Sequence, residues 1–237
     1  MIESRRVEAG GGKREGVGGK PVELGPLPGG HHGLTREQIL DSQRERLLAA
    51  VAQRVATRGY RATTITEIVK VASVSTRDFY EIFENKEECF LAALDVVRDH
   101  LVDLVDNAVA PESDWPNQVV GAIRVLLEFF AAEPDLARLC LVEAISATPV
   151  SALRFREAVL ACVPGMELGR SELTDPDSLL PGTESSLIGG AISLAGRSIL
   201  AGEPEKLPDL LPDLTAFILS PYLGPASAAR FAARLRT

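Results

Sequence analysis

From Leu34 to Ala110, apolar side chains recur at every third or fourth position, and the repeat is interrupted only at a few polar or glycine positions. That period is the signature of helices with one buried face. Thr35-Arg36-Glu37-Gln38 has the form of a capping box, a Thr followed three places later by Gln, which satisfies free N–H groups at a helix start. The stripe Ile39, Leu40, Leu47, Leu48, Val51 and Val55 carries this helix to Arg58, and Gly59 is suited to its C-terminal cap. Thr63-Thr64 offers hydroxyls for the start of a short helix with Ile65, Ile68, Val69 and Ala72 inward. Ser73-Val74-Ser75 interrupts it, and Ser75 caps a second short helix, Thr76 to Phe83, with Phe79 and Phe83 on one face. After Glu84, Asn85 caps a long helix through Lys86, Phe90, Leu91, Leu94, Val97, Leu101 and Leu104. Beyond Pro111 the pattern predicts helices near 115–132, 134–146, 149–162, 183–201, 206–219 and 225–235, with an irregular stretch at 163–182. Pro212, inside an apolar run, marks either a kink or a delayed helix start.

Composition points the same way. Hydrophobic residues make up 46% of the 237 positions and aromatics only 5%, which favours packed helices over a β-sandwich. No proline lies between Pro28 and Pro111, so long helices are permitted there. Residues 1–33 are Gly-rich with few bulky apolar side chains and read as a disordered tail. The start, Met1 to Arg6, lacks the apolar stretch of a secretory signal, and no run is long enough to span a bilayer. Cys89, Cys140 and Cys162 form no Cys-x-x-Cys pair, which suits reduced core thiols of a cytoplasmic protein, with a redox sensor as the alternative.

The net charge of −8 is unevenly placed. Residues 34–100 carry 10 Lys/Arg against 11 Asp/Glu, whereas residues 101–237 carry 10 against 18. A near-neutral N-terminal segment leaves room for a basic face on a nucleic-acid reader. Two short helices joined by a three-residue turn and preceded by a longer helix form a helix-turn-helix layout, in which the second short helix must reach base edges in the major groove. Val74 would plug the angle between them, with Thr64, Ser75 and Lys86 at helix starts suited to phosphate.

Gly59-Tyr60, Thr63-Thr64-Ile65, Ile68, Ala72-Ser73-Val74-Ser75, Phe79-Tyr80, Phe83 and Lys86-Glu87 resemble, in order and spacing, the DNA-binding domain of the TetR family. The resemblance covers about residues 34–95; the run from Glu88 to Ala93 is similar to many actinobacterial members, and a weaker likeness returns at Leu207–Gly224. It implies an all-α fold: an N-terminal three-helix helix-turn-helix DNA-binding domain (34–85) followed by a helical-bundle ligand-binding and dimerisation domain (86–237). It implies DNA contacts by Thr63, Thr64, Ser75, Tyr80 and Lys86 on the backbone and by Thr76, Arg77 and Glu81 on bases. Arg77 has the planar fork that matches guanine, though Arg77 with Glu81 also reads as a surface ion pair, and Tyr80 as a half-buried packing residue. The family's turn has Gly before its Val; here Ser73 stands there, at a cost of about 1 kcal/mol if the position has positive φ. The basic arm common before the first helix is replaced here by Gly30 and His31.

The resemblance further implies a homodimer, with Leu187, Ala191, Leu194, Ile199, Leu214 and Phe217 at its interface and Gly189, Gly190 and Gly196 allowing close helix approach. It implies a repressor released from a palindromic DNA operator by a small-molecule effector, for which His100, Arg124, Phe129, Cys140, Glu143 and Met166 are candidate lining residues; each also reads as ordinary core or surface. The alternative is a ligand-independent or partner-controlled DNA-binding regulator. An enzyme is disfavoured: Gly-x-Ser-x-Gly is absent and only three histidines are present, two of them in the tail. No metal site, no cofactor and no membrane partner are expected.

Overall fold

The computed structural model describes residues 35–110 and 113–236. The expected tail at 1–33, Gly30 and His31 included, lies outside them. Among the described residues there are helices and turns and no strand, so the chain is all-α. Helix α1 (Arg36–Arg58) opens with the predicted capping box: the Thr35 hydroxyl accepts from the Gln38 N–H at 3.2 Å, and the Gln38 side chain accepts from the Thr35 N–H at 2.9 Å. It ends at Gly59, whose φ of 78° is positive while its ψ of 155° is extended, so the cap is not the left-handed one expected. Helices α2 (Ile65–Ala72), α3 (Thr76–Ile82) and α4 (Lys86–Ala108) are capped by Thr64, Ser75 and Asn85.

The second half holds α5 (Trp115–Ala132), then one helical run from Pro134 to Ser146 made of α6 (Pro134–Arg138), a π-helical segment (Leu139–Glu143) and α7 (Ala144–Ser146). Sequence periodicity gave no sign of that π segment. Helix α8 (Pro149–Ala161) and the short α9 (Val163–Glu167) lead through 3-10 turns to α10 (Thr183–Leu200), α11 (Leu211–Leu223) and α12 (Pro225–Ala233). Pro212 is a delayed start and not a kink: residues Pro204–Leu210 form a 3-10 turn and α11 begins at Leu211, with the proline in its first turn where no N–H is needed.

Three apolar clusters hold the chain together. The first contains Leu47, Val51, Ile68, Val74, Phe79 and Phe83 of the first three helices, and it also contains Cys89, Phe90, Leu94 and Val97 of α4. Leu136, Leu139 and Ala144 close it from the second half. The second cluster joins α5 to α10 and α11, and the third seats Trp115 against Tyr222, Leu187 and Met166. The Trp115 ring lies 4.6 Å from the Tyr222 ring, and its indole N–H donates to the Gly165 carbonyl at 3.0 Å.

Candidate nucleic-acid interface and regulatory site

The turn between α2 and α3 is built as the residues require. Ser73 adopts φ 53°, ψ 44°, the only positive φ at a non-glycine among the described residues. The Val74 N–H closes back on the Val69 carbonyl at 3.0 Å, and the Val74 side chain is buried between the two helices. Arg46, from α1, donates to the Ala72 carbonyl at 3.1 Å and to the Ser73 carbonyl at 3.3 Å, satisfying acceptors that the end of α2 leaves free. Gln43 of α1 donates to Asp78 of α3 at 3.2 Å. Two residues of the first helix thus fix the angle of the two short ones.

Phe79 and Phe83 face inward, fully and almost fully buried, which leaves the opposite side of α3 to solvent. Thr76, Arg77, Tyr80 and Glu81 are all exposed there. Tyr80 is 57% exposed and therefore not a packing residue. Arg77 does pair with Glu81, at 3.3 Å, and Arg36 reaches the same carboxylate at 3.7 Å. Pairs this exposed contribute at most about 1 kcal/mol, so Arg77 is readily released to another acceptor. Arg44 lies over the Phe83 ring at 5.6 Å and, with Arg36, adds positive charge beside α3 that the sequence pattern alone did not assign.

Three expected phosphate contacts require correction. Thr63 is 1% exposed and its hydroxyl donates to the Gly59 carbonyl at 2.9 Å, so it is a structural residue. Thr64 is exposed, but its N–H and hydroxyl both donate to the Glu67 carboxylate, at 3.0 and 2.9 Å. Those two donors and the nearby Arg58 and Arg54 hold the Glu67 carboxyl below its ordinary range. The Lys86 ammonium donates to the Tyr60 and Thr63 carbonyls, at 2.8 Å each, and stands 4.1 Å from the Tyr60 ring centre. Burial pushes its pKa down. Lys86 therefore clamps the loop between α1 and α2. Ser75 is exposed, and its hydroxyl accepts from the Asp78 N–H at 3.0 Å.

The six candidate ligand residues do not converge. The His100 and Phe129 rings lie 5.3 Å apart, tilted by 52°, and Cys140 packs against the same apolar clusters as Phe129. The void beside His100 measures about 20 Å³, less than a ligand needs. Arg124 is exposed on α5, and Met166 is buried in the Trp115 cluster. Glu143 faces the first three helices, accepting from the Tyr60 N–H at 3.0 Å. A cavity of about 520 Å³ lies elsewhere, between α8, α9, the turns at 168–182 and α10, lined by Leu160, Val163, Arg170, Leu179 and Glu184 among others. Arg170 pairs with the buried Glu184 at 2.8 Å in its wall. Burial pushes the Cys89 and Cys140 thiols up to about 12, so neither carries the thiolate that a redox sensor needs.

The expected dimer stripe is also divided. Leu187, Ile199 and Leu214 are buried in the chain's own core, and Ala191 and Leu194 are half-buried against it. Gly196 lies against the Leu141 carbonyl and Gly190 against the Phe217 ring, so two of the three glycines serve packing within the chain. Phe217 remains 40% exposed, alongside exposed Ser186, Gly189 and Ser193 on α10.

The helix-turn-helix region matches a known family. The sequence model described as "Bacterial regulatory proteins, tetR family" covers residues 47–93. The HTH-type transcriptional activator FasR of Mycolicibacterium smegmatis is 28% identical over 159 residues, 67% of this chain and 70% of that protein. The uncharacterised HTH-type regulator YhgD of Bacillus subtilis is 31% identical over 87 residues, 36% of this chain and 46% of that protein. In fold, the chain is similar to the Bacillus subtilis regulator FadR in complex with stearoyl-CoA, with a TM-score of 0.62 at 13% identity over 76% of this chain and 97% of that one. It is similar too to a TetR family regulator from Marinobacter aquaeolei, with a TM-score of 0.59 at 23% identity over 75% of this chain and 97% of that one. Residues 47–93, which hold the capped helix-turn-helix with its exposed outer face, match the tetR family model, and the chain as a whole is similar to these HTH-type transcriptional regulators in sequence and to TetR regulators in fold.

Proposed function

We propose that this protein acts as a cytoplasmic homodimer that binds a palindromic operator through α3 and controls transcription from it as a repressor. The observation that carries the reading is the exposed face of α3, where Thr76, Arg77, Tyr80 and Glu81 stand on a short helix capped by Ser75 and tied to α1 through Asp78. Arg77 and Thr76 read bases, and Tyr80, Ser75 and the α1 residues Arg36 and Arg44 meet the backbone. Phe217 and the small residues Ser186, Gly189 and Ser193 form the contact between copies, which sets the two readers about 34–36 Å apart, one turn of DNA. The DNA-binding unit then ends at Asn85 and the regulatory unit begins at Lys86.

The effector site is the cavity of about 520 Å³ beside α10, whose size falls in the range of small-molecule pockets. The similar FadR of Bacillus subtilis is seen in complex with stearoyl-CoA, so a long-chain acyl thioester is the first compound to try. Control without an effector is the second reading, favoured by the solid packing around His100, Phe129 and Cys140.

The test is gel retardation and fluorescence anisotropy on fragments upstream of the protein's own gene. A shift that weakens steeply with salt is expected. No shift on any such fragment at low salt refutes the reading. Light scattering on the Phe217→Asp variant is expected to give half the wild-type mass.

A further inference from the structure

The loop between α1 and α2 is gripped from two sides. Lys86 holds the Tyr60 and Thr63 carbonyls from the first turn of α4. Glu143, 83 residues away in sequence from Tyr60, holds the Tyr60 N–H from the other side at 3.0 Å. Its carboxylate oxygens stand 3.6 and 3.7 Å from where a β-carbon on Gly59 would lie, and Arg138 is 3.8 Å away. Glu143 is 9% exposed, so this hydrogen bond is made where water competes poorly.

Glu143 is also the last residue of the π segment Leu139–Glu143. A π turn carries one residue more than an α turn, and its conversion to α rotates the side chains beyond it by about 100°, one residue's share of the helix circle. At its other side this segment touches α10, where the Leu141 carbonyl lies 3.5 Å from where a β-carbon on Gly196 would stand. Five residues therefore connect the helix assigned to dimerisation with the loop that carries the reader.

We propose that Glu143 is a positioning residue for DNA reading: through the Tyr60 N–H it fixes α2 and α3 relative to α10, and so sets the spacing of the two recognition helices. This rests on the dimeric reading of a palindrome given above. The side chain touches no DNA, and its effect passes through the loop. A shift of the π segment, from whatever cause, withdraws the carboxylate and frees the reader.

The experiment compares full-length wild type with Glu143→Ala and Glu143→Gln. Amide hydrogen exchange of the peptide containing Tyr60 is read without DNA. Operator affinity is read on palindromes whose half-sites are moved apart or together by one base pair. Exchange at Tyr60 is expected to rise about tenfold or more in Glu143→Ala, the equivalent of a hydrogen bond to a charged acceptor, and by less in Glu143→Gln, whose amide oxygen still accepts. Discrimination between the native and altered spacings is expected to fall about threefold or more, in the same order. If Glu143→Ala does not fold, the wild-type and Gln proteins decide both readouts. Unchanged exchange overturns the proposal, and so does raised exchange with an unchanged spacing profile. A wild type with no spacing preference sinks the dimeric reading and this inference with it. A wild-type preference that both variants keep sinks only the inference.

Discussion

Ser73 should be the easiest place to stabilise this protein. Its φ of 53° puts an L-residue in the left-handed region, where the β-carbon crowds the following carbonyl at about 1–2 kcal/mol. The side chain is exposed and its hydroxyl makes no hydrogen bond to the described residues, so nothing in the packing requires it. The contacts that matter at this position are backbone ones, the Arg46 bond to the Ser73 carbonyl and the Val74 N–H bond to Val69, and glycine keeps both. Ser73→Gly removes the crowding and adds about 0.4–1 kcal/mol of backbone freedom to the unfolded chain. The net expectation is a gain of about 0.5–1 kcal/mol, or about 1–4 °C in melting temperature for a chain of this length. Ser73→Ala is the control, since it keeps the β-carbon; it should stay within about 0.5 kcal/mol of wild type. Thermal and urea unfolding of the DNA-free protein, followed by circular dichroism, measure both. A glycine variant no more stable than wild type, or an alanine variant that gains as much, refutes the reasoning.

Other consequences are equally open to measurement. Gly169→Ala would put a β-carbon 2.4 Å from the Trp115 ring, which its bond to Gly165 holds in place; a loss of about 1–3 kcal/mol in urea unfolding is expected. Glu67, held below its ordinary 4.5 by the Thr64 donors, contributes stability that is full above that pH and lost as the pH falls through the folded-state value. Glu67→Gln should therefore lower the melting temperature at pH 7 and flatten the acid limb of the profile, so that variant and wild type converge as the pH falls below the folded-state value. Arg77→Ala should cost about 1–3 kcal/mol on the operator and relax preference at one base pair per half-site, as read by anisotropy on a panel of substituted duplexes.

The sequence carried the ends of helices better than their partners. Thr35, Thr64, Ser75 and Asn85 cap from within four residues of the groups they satisfy, so their roles are legible in a local window. The left-handed turn at Ser73 was suggested only by the resemblance, whose turn has Gly at that place. The role of Lys86 was not legible, because what fixes its ammonium is the path of the Tyr60–Thr63 backbone more than twenty residues upstream. The stripe Leu187, Ile199 and Leu214 is apolar as read, yet an apolar stripe does not state whether its own chain or a second copy covers it. Leu139–Glu143 continues a helical apolar pattern, and its π turn lies between α10 on one side and the α1 core and Tyr60 on the other, partners far away in sequence.

The first apolar cluster crosses the line between the two halves. Phe90 and Leu94 from α4, and Leu136 and Leu139 from the run that follows, complete the packing around Leu47, Val51 and Phe79. A fragment ending at Asn85 would expose that surface to water, so the reader is not an autonomous module that can be excised or grafted at its linker. Heat or denaturant should melt both halves in one transition, and limited proteolysis should find no cut near 85 that leaves an intact piece. Chimeras that exchange regulatory halves between relatives would have to carry the first three turns of α4 and the 136–144 segment together with the reader.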